Sequence, residues 1–188
     1  MKTRNFLTTA FFALTFLATT STFAQKEKTV MVGGAAMYPS KNIIENAVNS
    51  KDHTTLVAAV KAAGLVETLQ GKGPFTVFAP TNAAFDNLPK GTVETLLKPE
   101  NLKTLQTILT YHVVSGKMEA SDIAKAIKAG NGKATMKTVS GGTLTAWMKG
   151  KDLYLTDENG KSAQVTIADV NQSNGVIHVI DAVVTPKS

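Results

Sequence analysis

Apolar residues recur at helical spacing through the front two-thirds of the chain and at a period of two beyond it. Ile43 with Ala47 and Ile44 with Val48 stand four apart, which predicts a short helix capped by Ser40. Leu56, Ala59, Val60 and Ala63 fall at i, i+3, i+4 and i+7, behind Asp52 and Thr54 as capping candidates. Gly64 suits the left-handed residue that ends such a helix, and Leu65, Val66 and Leu69 add a further turn or two. Gly73-Pro74 breaks the pattern, so Phe75 to Ala79, β-branched and aromatic and stopped by Pro80, reads as a buried strand. Thr81 or Asn82 caps the next helix, which buries Phe85 and Leu88, and another short one from Thr92 uses Val93, Leu96 and Leu97. Pro99 fits the first turn of a longer helix, where its missing N–H costs nothing, with Leu102, Leu105, Ile108 and Leu109 as the stripe. Tyr111 to Val114 reads as extended and stops at Ser115-Gly116. A helix after Ser121 carries Ile123 and Ile127 inward and ends at Gly130-Asn131-Gly132.

From Lys133 the period is two. Ala134, Met136 and Thr138 alternate with Thr135, Lys137 and Val139, and Leu144, Ala146 and Met148 alternate with Thr143, Thr145 and Trp147. Ser140-Gly141-Gly142, Gly150-Lys151 and Asn159-Gly160 are the turns, Asn-Gly being a strong hairpin signal because both residues tolerate positive φ. Leu153 to Thr156, Ala163 to Ile167 and Val176 to Val184 are the remaining strands. Helices followed by an antiparallel meander give an α+β class in a single domain, with no internal repeat.

The front end differs from all of this. Lys2 and Arg4 precede an apolar run from Phe6 to Ala18 that is too short to span roughly 30 Å of hydrocarbon, and Thr22-Phe23-Ala24 offers small residues at a cleavage site. These features predict a signal peptide over residues 1–24 and a processed chain beginning at Gln25, without a transmembrane segment. Removing those 24 residues leaves 164 of 188 and takes the formal charge from +6 to +4. Residues 25–39, with Gly33-Gly34 and little periodicity, read as an extended lead-in to a domain over 40–188.

A chain of this length buries roughly two-thirds of its unfolded surface without staples. The absence of cysteine excludes thiol catalysis, thiolate metal sites and disulfide scaffolds, so packing alone must supply the core. No run of five basic residues and no basic stretch interleaved with aromatics occurs, which leaves no footprint for nucleic acid.

Three segments together resemble a fasciclin domain: Gly73-Pro74-Phe75-Thr76-Val77-Phe78-Ala79-Pro80-Thr81-Asn82-Ala83-Ala84-Phe85, Tyr111-His112-Val113-Val114, and Asn174-Gly175-Val176-Ile177-His178-Val179-Ile180-Asp181. The resemblance runs from about Asn42 to Pro186, and the lead-in from Val32 to Ser40 is similar to that of small secreted bacterial members with one such domain. It implies a fasciclin-type β-wedge with helices packed around it. It also implies an extracellular, non-catalytic adhesion or matrix-interaction module whose partner is a cell-surface or matrix protein or a glycan. The alternative it carries is a carrier of an apolar small molecule, and no cofactor is implied. In animal relatives a Tyr-His motif with flanking aliphatic residues is a proposed contact, which corresponds to Tyr111, His112 and Val113. A second proposed motif is matched by Asp169 and Val170.

The residues themselves suggest blander roles. Tyr111 and His112 continue an apolar helix stripe into an apolar strand, which predicts a buried, hydrogen-bonded imidazole. His178 shares strand parity with Val176 and Ile180, and His53 stands beside Asp52 where capping explains both. The three histidines lie 59 and 66 residues apart, unlike the short spacings of zinc sites. No Gly-x-Ser-x-Gly, His-Glu-x-x-His or Walker-type loop occurs, and acidic residues such as Glu119 and Asp157-Glu158 sit beside turns or on polar faces, where solvation is expected. Asn171-Gln172-Ser173 is a formal glycosylation sequon. Met37, Tyr38, Trp147 and Met148 are the expected exposed apolar residues.

Overall fold

The computed structural model describes residues 27–187. The expected signal peptide lies outside the described residues. Two short strands, β1 (Val30–Val32) and β2 (Ala35–Met37), pair through Gly33 and Gly34 at φ 56 and 77. The lead-in is therefore a hairpin: the glycine pair supplies the two positive φ angles that a two-residue turn needs.

The helices that follow are α1 (Ile43–Ala47), α2 (Thr54–Ala62) and α3 (Val66–Gln70). The caps differ from those expected. Asn42, not Ser40, caps α1, in a reciprocal capping box with Glu45. Neither Asp52 nor Thr54 caps α2. Its first turn is held by distant Asn82, whose Oδ1 accepts from Thr55 N at 3.0 Å while its Nδ2 donates to Lys51 O and Thr54 Oγ1. Gly64 ends α2 at φ 69, as expected.

Strand β3 (Phe75–Pro80) leads through Thr81, whose hydroxyl caps α4 (Asn82–Asp86), to α5 (Thr92–Leu96). Phe85 and Leu88 are only half-buried, Ala84 being the buried residue of α4, and α5 buries nothing. Pro99 opens a 3-10 turn that runs into α6 (Leu102–Tyr111), where Leu105 and Leu109 are buried but Leu102 is exposed. Tyr111 is thus the last helical residue and His112 the C-cap, so the extended segment begins only at β4 (Val113–Ser115). Helix α7 (Ala120–Ala129), with Glu119 as N-cap, starts before Ser121 and not after it, and buries Ile123 and Ile127.

The meander comprises β5 (Lys133–Lys137), β6 (Thr143–Lys149), β7 (Asp152–Thr156), β8 (Ser162–Gln172) and β9 (Gly175–Ile180). Strand β8 outruns the expected Ala163 to Ile167 because two register shifts, with Asp169 at φ 58, scramble its alternation. Strand β9 stops short of Val184, where the chain leaves the ladder at Asp181, whose carboxylate accepts from Gln164 N.

The seven strands lie in the order β4-β3-β9-β8-β7-β6-β5, antiparallel except for β3 beside β9. A bridge between Val114 and Thr138, with Val139 N donating to Val113 O at 2.8 Å, nearly closes the sheet. Every residue of β9 is buried, because alternate side chains enter different cores. Val77, Ala79, Ile177 and Val179 face the core under α1, α2 and α6. Phe78, Val176, His178 and Ile180 point the other way, Phe78 and Ile180 joining Tyr111, Ile123, Leu144 and Leu155 in the sheet's interior. Gly175 is required by closeness rather than φ: a Cβ there would lie 2.1 Å from Phe75 O.

Candidate interaction site

Tyr111, the final residue of α6, is fully buried. Its hydroxyl donates to Thr143 O at 2.5 Å and accepts from Glu158 N at 3.2 Å, joining α6 to β6 and to the β7–β8 turn. Burial pushes the phenol up to about 12, so it stays neutral and keeps both bonds. Tyr111→Phe would leave a carbonyl and an amide unpaired. It is expected to cost about 1 to 3 kcal/mol in chemical denaturation, and a change below about 0.5 kcal/mol would show that water replaces the hydroxyl.

His112 is 3% exposed and fully paired. Its Nδ1 meets Ile108 O at 2.8 Å, and since a carbonyl only accepts, Nδ1 carries the proton. Nε2 then accepts from Val184 N at 3.3 Å. Burial depresses the imidazole to about 4, ahead of opposing contributions from the Ile108 carbonyl and the Asp157 charge. His112 thus sits as the apolar pattern predicts.

Val113 and Val170 are buried in the core beneath the helices. Asp169 is half-buried; its Oδ1 accepts from Ala120 N at 2.7 Å, and its own N–H donates to His178 Nδ1 at 3.3 Å. His178 Nε2 donates to Met118 O at 2.8 Å, its ring stacks on Phe78 at 5.6 Å, and burial lowers its pKa. The structure brings Val113 and Val170 into one core and Tyr111 into the other.

His53 does not cap. It is buried, with Nδ1 2.9 Å from Ser50 Oγ, and burial lowers its pKa. Its Nε2 makes no hydrogen bond of acceptable geometry. Together with His112 it borders an apolar cavity of about 70 Å³ between α2, α6 and β3. A carrier for a drug-sized molecule needs roughly 300 Å³ or more, so this cavity does not favour that role. Met37 is core at 3% exposure, whereas Tyr38 and Met148 are exposed. Trp147 is half-buried and stacks on Tyr154 at 4.8 Å. Asn171 lies within β8, paired with Val176, rather than on an open loop.

The residues that sequence reasoning missed surround the chain's end. Asp157, expected to be solvated, is 6% exposed because both its oxygens accept: Oδ1 from Asn159 N and Lys161 N, Oδ2 from Thr185 N and Thr185 Oγ1. The Asn159-Gly160 turn signal marked this place, but only the fold brings Thr185 to it. Among the described residues no group of three or more acidic or histidine side chains could hold a metal ion, and no helix is long and apolar enough to cross a membrane.

Comparison with known proteins agrees with this architecture. Protein sll1483 of Synechocystis sp. is 47% identical over 160 residues, covering 85% of this chain and 82% of that protein. Cell surface glycolipoprotein MPB83 of Mycobacterium bovis is 34% identical over 160 residues, covering 82% of this chain and 64% of its own length. A FAS1 domain pair from the insect cell adhesion molecule Fasciclin I matches in fold with a TM-score of 0.59 at 18% identity, covering 84% of this chain and 57% of that one. The fasciclin domain model matches residues 51–186, and with it the chain belongs to the fasciclin domain family.

Proposed function

We propose that the chain is a non-catalytic interaction module that works outside the cytoplasm and attaches to a cell-surface or matrix protein or glycan. The observation that carries this reading is family membership, with relatives named for the cell surface and for cell adhesion. The basic, apolar and small-residue order of residues 1–24 supports export and processing before Gln25. Tyr111, His112, Val113, Asp169 and Val170 enter the proposal as residues that shape the contact surface from beneath. Direct contact falls to exposed side chains such as Met31 and Tyr38.

The test is binding of labelled, purified domain to intact cells and isolated envelope. Saturable binding, displaced by unlabelled domain, is expected, with an N-terminus at Gln25 in protein recovered outside the cytoplasm. Binding that rises without saturation, or turnover of glycan, ester or peptide substrates in proportion to protein concentration, would overturn the proposal.

A further inference from the structure

Among the described residues no strand follows Ile180, yet Val183 and Val184 are buried at 6% and 1% exposure. Residues 183–187 lie as a strap against His112 on one side and the β7–β8 turn on the other. Each strap donor in this contact meets an ionisable acceptor. Val184 N donates to His112 Nε2 at 3.3 Å, Thr185 N and Oγ1 to Asp157 Oδ2 at 2.9 and 3.3 Å, and Lys187 N to Glu158 Oε2 at 2.9 Å. The only other ties described are from Asn159 Nδ2 to Thr185 O, Thr185 Oγ1 and Pro186 O.

We propose that residues 183–187 form an acid-released strap, held shut by His112, Asp157 and Glu158 as acceptors and freed when His112 and Glu158 take up protons. The chemistry is directional. A proton on His112 Nε2 turns an acceptor into a donor that faces the Val184 N–H, while protonating Glu158 removes the charge that strengthens its bond to Lys187. Release withdraws Val183 and Val184 and uncovers the strap side of Tyr111 and His112. The device does not depend on which partner the domain meets.

The surrounding charges do not cancel this response. Asp157 is the charged group that acts on His112, while His53 and Lys61 border the same cavity. Around Glu158 stand the Lys187 ammonium and the neutral Tyr111 phenol. The backbone N–H groups of Lys187 and Thr143 hold the Glu158 carboxyl below its usual value. Because His112 is depressed from 6.5 to about 4, its contribution is fully present above 6.5 and is lost as pH falls through about 4. Glu158, also depressed, contributes above 4.5 and lets go below it.

Amide hydrogen exchange on the full chain, expressed as protection factors to remove the intrinsic pH dependence, tests the proposal. Protection at Val184 should fall at least about tenfold between pH 7 and pH 4, and protection at Lys187 should fall as pH drops below 4.5, while Val176 to Val179 in β9 stay protected. Asp157→Asn, which takes the charge from the acceptor of Thr185, should lower Thr185 protection at pH 7. Should that variant not fold, exposed Glu158→Gln should loosen Lys187 while sparing Val184. Strap and β9 amides losing protection together, or strap protection indifferent to pH and to these substitutions, would overturn the proposal.

Discussion

Asn174→Ala is expected to melt roughly 8 to 15 °C below the unaltered protein, the signature in a domain of this size of losing about 3 to 5 kcal/mol. The residue is 7% exposed and occupies the tight turn between β8 and β9, yet its side chain reaches two helices. Oδ1 accepts from Ile43 N at 3.0 Å, at the start of α1, and Nδ2 donates at 2.8 Å to both Leu69 O and Gly71 O, at the end of α3. Those are unpaired groups of helix termini, which need partners from elsewhere. One amide supplies all three, where the parallel β3–β9 pair begins at Phe75 and Gly175. Alanine leaves them unpaired in a largely buried place, where each costs about 1 to 3 kcal/mol before water compensates. Asn174→Asp separates the contributions: it keeps the acceptor for Ile43 N but sets a negative charge against two carbonyls, so it should also destabilise. A melting point within about 2 °C of the unaltered protein for Asn174→Ala would show that the amide is not the tie.

Elements whose signal is local were legible in the sequence. The stripe Leu56, Ala59, Val60 and the run Phe75 to Ala79 need only their own spacing, and both hold, the strand taking in Pro80 instead of stopping before it. The alternation of Ala134, Met136 and Thr138 against Thr135, Lys137 and Val139 also holds, because β5 and β6 bury one face only. Features that depend on a distant partner were not legible. Asn82 holds the first turn of α2 from beyond β3, so searching the residues next to that helix found Asp52 and Thr54, which cap nothing. Asp157 looked solvated because its neighbours are polar, and its partner Thr185 is 28 residues away. The doubled burial of β9 was partly visible as an unbroken apolar run, but only the parallel pairing with β3 explains why both faces are covered.

The motif resembling a contact site shows the same division. Tyr111 and His112 carry the resemblance in sequence, and their burial follows from where α6 ends. Leu109 O and Ile108 O receive, respectively, the backbone N–H and the Nδ1–H of His112, so the imidazole folds back over the last turn of its own helix. It closes that helix while its far nitrogen reaches Val184. Sequence spacing predicts a bond from one imidazole nitrogen, because Ile108 precedes His112 by one turn. The second joins residues 72 apart and required the fold.

His112→Ala is therefore expected to act through stability. It removes a ring that is 3% exposed and leaves Ile108 O and Val184 N unpaired, a combined cost of about 2 to 4 kcal/mol and a fall in melting temperature of roughly 5 to 12 °C. The loss should be greatest near neutral pH. Neutral His112 contributes above 6.5 and the contribution disappears as pH falls through about 4, so the two proteins should converge in acid. A residue that met a partner from the surface would behave differently, since its removal would leave melting unchanged at every pH. Thermal melting and saturable envelope binding, measured on the same preparation below the melting transition of the variant, separate the two roles. Lowered melting with binding retained in the folded fraction is the expected pair of results. Unchanged melting with binding lost would make His112 a contact residue and overturn its assignment to the core.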